Sequence, residues 1–132
     1  MSVLELNGRV FDASTTGTLT LTGEGNATTD VTQGLAKAWA TLTGTSTASL
    51  DDSLNVASIT DVGTGDYTTT YTSAFSSATK SAVCAGGFYA TNVEVDGAGT
   101  ASSNDFLCKD TANDSVARDA DVVNTSVHGD LA

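Results

Sequence analysis

Apolar and polar residues alternate along much of the chain, which is the pattern of β-strands with one buried face. The alternation is strict in Thr18–Thr22, where leucines occupy every second position. It is also clear enough in Val3–Val10 to predict a first strand, and the polar stretch Asp12–Gly17 predicts a turn between the two. The first part of the chain is therefore expected to consist of β-strands.

Residues 1–30 are predicted to form an N-terminal β-arm that precedes a domain over residues 31–132. The polar, glycine-containing stretch Gly23–Asp30 predicts a hinge between them. We expect the arm to anchor the protein or to pair with strands of sister chains. Its candidate anchoring residues are the apolar ones, Val3, Leu4, Leu6, Val10, Leu19 and Leu21.

The stretch Thr32–Leu42 fits two kinds of element. A helix with Asp30 as its N-cap would place Trp39 and other apolar residues on one face. A strand fits as well, because alanines alternate with larger side chains on either side of Trp39. Gly34 and the threonines disfavour a helix, so a strand is the favoured prediction.

Beyond Gly44, strand signals recur at the spacing of about eight to twelve residues that is typical of sandwiches and small barrels. The turn Asp61–Asp66 is expected to join two of these strands into a hairpin. Loops are expected at Asp96–Asn104 and Asp110–Asp121, which are rich in Gly, Ala and Asp. The predicted strands are Leu54–Ile59, Tyr67–Thr72, Ser81–Cys84, Phe88–Val95, Phe106–Lys109 and Val122–Val127.

The composition supports the same fold class. Asp, Thr and Ser are abundant and compete with helical hydrogen bonding, whereas Lys and Arg together number only 5 and Glu and Gln are scarce. Thirteen glycines mark turns, and no proline is present. We therefore predict an all-β protein, an antiparallel β-sandwich or small barrel-like domain with an N-terminal β-arm.

The predicted core is poor in large side chains. Hydrophobic residues make up 39% of the chain, many of them alanine, and aromatic residues only 6%. Burial of apolar surface contributes about 25 cal/mol per Å², whereas ordering a residue costs about 1–2 kcal/mol. We therefore predict a homo-oligomer that shares apolar surface among identical chains. The candidate core and oligomer residues are Trp39, Leu54, Val56, Ile59, Tyr67 and Tyr71.

The charge restricts the partners. Sixteen acidic residues against five basic ones give a net charge of -11, which disfavours nucleic acid and anionic membrane surfaces. No apolar run is long enough for a membrane span. Met1–Leu6 lacks the basic and apolar segments of a signal peptide, so we expect the protein to leave a cell only as cargo or as part of a particle.

The sequence contains no convincing catalytic arrangement, so we expect no enzymatic activity and no cofactor. There is no Gly-x-Ser-x-Gly motif, and His128 is the sole histidine. Most acidic residues fall in predicted polar loops, where nothing would desolvate them. No metal site is predicted; Asp61 and Asp66 are weak calcium candidates, because their spacing does not match an EF-hand loop.

Two cysteines leave two alternatives open. Cys84 and Cys108 are not part of a zinc-binding pattern. They could form a disulfide under oxidising conditions, but the favoured interpretation is two small, buried side chains.

Two segments in the middle of the chain share a distinctive order of residues with a known family. The first comprises Lys37-Ala38-Trp39 and Thr43-Gly44-Thr45. The second, Ser53–Thr68, reads Ser-Leu-Asn-Val-Ala-Ser-Ile-Thr-Asp-Val-Gly-Thr-Gly-Asp-Tyr-Thr. With these residues the chain resembles, over roughly residues 37–83, a β-domain that recurs in tailed-bacteriophage virion proteins of the tail-fibre and fibre-tip type. The family usually has Phe where this chain has Leu54.

The resemblance implies a trimeric β-sandwich-like module on the outside of a particle. The favoured expectation is a homotrimeric capsid decoration protein, a cement protein or short head fibre that binds the major capsid protein. It would be assembled in the cytoplasm of the host bacterium and located on the virion surface. The alternatives are a tail-fibre or receptor-binding tip protein, with a tail component and a host surface glycan as partners, and a carbohydrate-binding module that uses Trp39 or Tyr89.

Overall fold

The computed structural model describes residues 3–6, 9–12, 20–22, 28–87, 91–95, 99–110 and 116–132. The chain divides into two compact units, Met1–Leu35 and Ala36–Ala132. The division falls after Leu35, slightly beyond residue 30, where the predicted arm ends.

The first unit contains two hairpins and one helical turn. Strand β1 (Val3–Leu6) pairs with β2 (Arg9–Asp12), and β3 (Thr20–Thr22) pairs with β4 (Thr28–Asp30). The prediction of one strand over Val3–Val10 is therefore wrong, because the chain reverses after Leu6. The residues between β1 and β2 are Asn-Gly, the dipeptide most typical of a two-residue hairpin loop.

The ambiguous stretch that begins at Thr32 forms both kinds of element. A single helical turn, α1 (Val31–Gly34), closes the first unit, and strand β5 (Ala38–Thr43) opens the second. The favoured strand prediction is thus correct only from Ala38 onwards. The last three residues of the predicted hinge Gly23–Asp30 form β4, and residues 23–27 lie outside the described residues.

The second unit consists of two antiparallel sheets that pack against each other without closing into a barrel, so the all-β prediction is confirmed and the sandwich alternative is correct. The four-stranded sheet has the order β6-β5-β13-β9, and the five-stranded sheet has the order β10-β11-β8-β7 with β12 beside β11. The remaining bounds are β6 (Ser49–Leu54), β7 (Val56–Gly63), β8 (Asp66–Tyr71), β9 (Ser81–Gly87), β10 (Thr91–Val95), β11 (Ser103–Asp110), β12 (Val116–Ala117) and β13 (Val122–His128).

Asn55 is the corner at which the chain passes from one sheet to the other. It lies between β6 and β7 and has a φ of 57°, a left-handed conformation that Asn tolerates better than most residues. Thr72 N donates to Asn55 O at 3.2 Å, and the Asn55 side chain also contacts Ser73. The predicted single strand Leu54–Ile59 is therefore wrong, because its two ends belong to different sheets.

Other strand boundaries differ from the sequence predictions in extent. Strand β11 begins at Ser103, so the loop predicted over Asp96–Asn104 ends earlier, and β12 lies inside the loop predicted over Asp110–Asp121. Strand β6 has no counterpart among the predicted strands. Phe88 and Tyr89, at the start of the predicted strand Phe88–Val95, lie outside the described residues.

The interior of the sandwich has two apolar clusters with a polar layer between them. One cluster contains Leu42, Tyr67, Phe106, Cys108, Ala120 and Val123, and the other contains Ala38, Tyr71, Phe75 and Val127. On each strand that contributes to both clusters, the inward residue between them is small or polar. These buried intermediate residues are Ala40 on β5, Thr69 on β8 and Thr125 on β13, with Asn104 as the register partner of Thr69.

Candidate interaction surface

The outer face of the four-stranded sheet carries the largest side chain of the molecule. Because Ala38, Ala40 and Leu42 point into the core, the intervening residues of β5, Trp39 among them, lie on the opposite face. The single tryptophan of the chain is thus outside a core whose inward β5 positions are mostly alanine.

Strand register places a row of three large apolar residues and one serine across this face. Leu54 lies opposite Trp39 on β6, Ser126 lies opposite Trp39 on β13, and Val83 lies opposite Ser126 on β9. We call these four residues the Trp39 row. Leu54 is 49% exposed and Val83 60% exposed, and Val122, on the same face of β13, is 39% exposed. Large apolar side chains gathered on one face are typical of contact surfaces.

A polar row runs beside the Trp39 row. Thr41 Oγ1 donates to Asn124 Oδ1 at 2.9 Å between the two central strands. Thr43 Oγ1 donates to Asp51 Oδ2 at 3.1 Å, next to the β-bulge where β6 pairs with β5. The carboxylates of Asp51 and Asp52 lie on the edge strand β6, where charge and a bulge oppose unwanted edge pairing. The centre of the face is therefore uncharged, and its acidic groups are at the edge.

Three residues, Gly44, Gly65 and Tyr67, have structural roles around the β7–β8 turn. Gly65 has a φ of 69°, and its N–H donates to Asp119 Oδ1 at 2.7 Å. The Tyr67 hydroxyl lies 2.8 Å from Gly44 O and 3.0 Å from Asp119 Oδ1, and its single proton serves both acceptors. Burial, supported by the hydrogen bond to Asp119, raises the pKa of Tyr67 far above its usual value. These contacts fasten the loop before β13 to the end of the sandwich.

The calcium candidates lie on the two strands of the same hairpin. Asp61 is exposed on β7, and Asp66 begins β8. Among the residues that the structure describes, no group of three or more His, Cys, Asp or Glu side chains is gathered to hold a metal ion. Within the turn Asp61–Asp66, the N–H of Gly65 donates to the carboxylate of Asp119.

Both cysteines are free thiols that point into the interior. Cys108 is fully buried in the larger cluster, and Cys84 packs against that cluster from β9. Burial raises the pKa of Cys108 to about 12, and burial also raises the pKa of Cys84. The sequence left open a disulfide or two separate side chains, and the structure contains two separate thiols.

The predicted core and oligomer residues fall into three groups. Tyr67 and Tyr71 are buried, and Val56 and Ile59 pack against the clusters from the edge strand β7. Trp39 is partly buried on the outer face. Leu54 is not part of the core of this chain, because it ends β6 on the outer face. A role of these residues between subunits stays a prediction.

The predicted anchoring residues are placed by their backbone alone. Val3, Leu4 and Leu6 lie in β1, Val10 in β2 and Leu21 in β3, whereas Leu19 lies outside the described residues. Their anchoring role stays a prediction. Val83 and Val122 are not recognisable as surface residues from the sequence, because the apolar Ala-Val-Cys and Val-Val runs around them give no contrast between the two faces.

No helix in the described part of the chain has both the length and the apolar character needed to cross a bilayer. No protein-family model, no curated protein and no solved structure matches this chain.

Proposed function

We propose that this protein is an architectural component of a tailed-phage particle, a homotrimer that covers part of the capsid surface and has no enzymatic activity. The Trp39 row is the observation that carries the proposal. The resemblance of residues 37–83 to phage virion proteins supports the proposal that the protein belongs to a phage particle. The sandwich fold is the fold that this resemblance implies.

The Trp39 row has the composition of a subunit contact. Protein interfaces combine an apolar, uncharged centre with a polar rim, and tryptophan is enriched among the residues that dominate binding energy. Here Trp39 lies on the central strand β5 with Leu54 beside it on the edge strand β6, and Asp51 and Asp52 lie further along that edge. Burying this face against sister chains would add apolar contact area that the alanine-rich interior of one chain does not supply.

The charge of the protein suits a surface that must stay soluble. Each chain carries -11, so assembled particles would repel one another. The same charge opposes self-association of the chains at low ionic strength. Association between chains through an uncharged centre should therefore strengthen as salt screens the repulsion.

The first unit is the proposed attachment to the particle. Its two hairpins have strand edges that can pair with a strand of the major capsid protein or of a sister chain. The candidate anchoring residues of the arm would supply apolar contacts in that interface.

Two exposed valines provide a matched test of the subunit contact. Val83 is 60% exposed in the Trp39 row, and Val62 is 59% exposed on β7 of the other sheet. In sedimentation equilibrium at micromolar concentration, the wild type and Val62→Asp should be trimers and Val83→Asp a monomer. A monomeric wild type, or equal dissociation of the two variants, would refute the contact. Trp39→Ala should weaken the trimer in the same direction.

Copy number tests the placement on the particle. Quantitative mass spectrometry of the virion that contains this chain should find hundreds of copies if it covers the capsid. A handful of copies would contradict capsid decoration and would instead support the alternative, a tail fibre or receptor-binding tip.

A further inference from the structure

The two free cysteines lie on opposite sheets of the sandwich and point into the same part of its interior. Cys84 is in the middle of β9, an edge strand of the four-stranded sheet, and Cys108 is in β11 of the five-stranded sheet. Cys108 belongs to the larger apolar cluster, and Cys84 packs against that cluster. A bond between the two sulfur atoms would therefore join one sheet directly to the other.

The two sheets approach each other closely at this side of the sandwich. Cα atoms of β9 lie within 8 Å of Cα atoms of β10, the strand on which Val93 lies opposite Cys108. Stacked sheets are usually about 10 Å apart, whereas the two Cα atoms of a disulfide are about 4.4–6.8 Å apart. The close approach thus removes much of the separation that a disulfide between two sheets has to overcome.

Small side chains flank Cys84 on its own strand. The next inward residues of β9 are Ala82 on one side and Gly86 on the other. Among the described residues, β9 pairs with β13 alone, so its other edge has no strand of the same sheet. Strand β9 can therefore move a short way toward β11 without displacing a large side chain of its own.

The two thiols differ in access to solvent. Cys84 is partly exposed, whereas Cys108 is 0% exposed. Burial is the main cause of the raised pKa of both thiols, and the next cause for Cys108 is Cys84 itself, so the two groups lie within electrostatic range of each other. Cys84 Sγ lies 3.7 Å from Thr125 Oγ1, a contact that partly offsets the rise in the Cys84 pKa. A thiol-reactive molecule from solvent therefore meets Cys84 first.

We propose that Cys84 and Cys108 form a disulfide between the two sheets when the folded protein meets a small disulfide oxidant, such as glutathione disulfide. The Cys84 thiolate attacks one sulfur of the oxidant, forms a mixed disulfide and releases one glutathione. The Cys108 thiolate then attacks the Cys84 sulfur, forms the bond between the sheets and releases the second glutathione. The two protein thiols give up two protons and two electrons, which the two released glutathione thiols carry away.

The proposed phage function gives this disulfide a role, and this step alone rests on that function. A reducing cytoplasm would keep both thiols free while the particle assembles, and oxidising surroundings outside the cell would allow the bond to form. The disulfide would restrict the unfolded chain and so stabilise a sandwich whose core is poor in large side chains.

Oxidation of the folded full chain tests the proposal. The protein is incubated with glutathione disulfide at pH 8.5 without denaturant, then unfolded, alkylated and weighed by mass spectrometry. The wild type should be about 2 Da lighter and take up no alkylating reagent. Its thermal unfolding midpoint should rise by about 10 °C, and dithiothreitol should reverse both changes. Thiols that stay free, a disulfide between chains, or a lower midpoint after oxidation would overturn the proposal.

Two matched variants test the order of the two steps. Cys108→Ala should accumulate glutathione on Cys84, because the second thiol is missing. Cys84→Ala should take up no glutathione, because Cys108 is buried. Equal uptake by the two variants would refute the proposed order. The wild-type measurement needs no substitution, and the copy number on the virion is measured separately, so failure of this proposal is distinguishable from failure of the proposed function.

Discussion

Asn55 and Ser73 exchange two hydrogen bonds at the corner between the sheets. Asn55 Nδ2 donates to Ser73 O at 3.1 Å, and Ser73 N donates to Asn55 Oδ1 at 2.7 Å. The side chain therefore behaves like a further backbone amide that closes the segment after β8 onto the corner. The two bonds and the left-handed backbone of Asn55 together define how the chain changes sheets.

Substitution of Asn55 separates these two contributions. Asn55→Ala loses both hydrogen bonds and also places alanine, whose Cβ disfavours the left-handed region, at a positive φ. The free energy of unfolding should therefore fall by about 2–3 kcal/mol. Asn55→Gly loses the bonds only and should cost about 1–2 kcal/mol. Urea unfolding measures both. A glycine variant less stable than the alanine variant would contradict this account of the corner.

Gly65 and Gly63 form a matched pair in the β7–β8 hairpin. A Cβ at Gly65 would lie 2.6 Å from Cys108 O and 2.7 Å from the backbone of Arg118, and φ is positive there. At Gly63 a Cβ would meet nothing within 4 Å. Gly65→Ala should therefore lower the free energy of unfolding by more than about 3 kcal/mol, and Gly63→Ala should change it by less than about 1 kcal/mol. Similar urea midpoints for the two variants would contradict the close approach.

Tyr67 and Tyr71 have opposite surroundings at their hydroxyl groups. The hydroxyl of Tyr67 bonds to Gly44 O and Asp119, whereas that of Tyr71 is buried and has no partner among the described residues. Nearby Thr69 directs its own proton to Asn104 O at 3.1 Å.

Removal of either hydroxyl should therefore have a different effect. Tyr67→Phe leaves a buried carbonyl unpaired and should cost about 1–3 kcal/mol in the free energy of unfolding. Tyr71→Phe removes an unpaired polar atom and should be neutral or stabilising. Thermal and urea unfolding at neutral pH will compare them. A larger loss for Tyr71→Phe would show that its hydroxyl does have a partner.

Alkaline pH should destabilise the fold through the buried tyrosines. Burial raises the pKa of Tyr71 from 10.0 to about 12, and Tyr67 is shifted in the same direction. Above pH 10 the unfolded chain loses protons that the folded chain retains, so the stabilisation present below pH 10 is lost as the pH rises toward 12. Each such tyrosine contributes a slope of up to about 1.4 kcal/mol per pH unit.

Tyr71→Phe provides the control for this effect. Urea unfolding between pH 8 and 11.5 should show a shallower decline of stability in the variant, because one titrating group is absent. Cys108, whose pKa burial raises to about 12, keeps part of the decline in both proteins. An identical slope for the wild type and the variant would refute the role of Tyr71.

Period-two alternation was sufficient to predict the fold class and most of the strands. The predicted strands Tyr67–Thr72 and Phe106–Lys109 overlap β8 and β11, in which every second residue is buried. It failed at Asn55, because the alternation continues through a residue at which the chain changes sheets. It also failed before Arg9, where the turn signal of Asn-Gly outweighs the alternation on either side.

The candidate surface depended on information that is not local in the sequence. Trp39 was predicted as a core or oligomer residue, but its position outside the sandwich follows from which face of β5 packs on the other sheet. Leu54 and Val83 become members of one row only through register across four strands.

The polar layer formed by Thr69, Asn104 and Thr125 has a consequence for how the two sheets are aligned. Sliding one sheet along the other by two residues keeps every apolar side chain facing inward, so hydrophobicity alone penalises that error weakly. Such a shift would move Thr125 out of the polar layer and against an apolar cluster, at a cost of about 1–3 kcal/mol. The three residues would thus favour a single stacking arrangement of the two sheets, in a core whose other side chains are small and interchangeable.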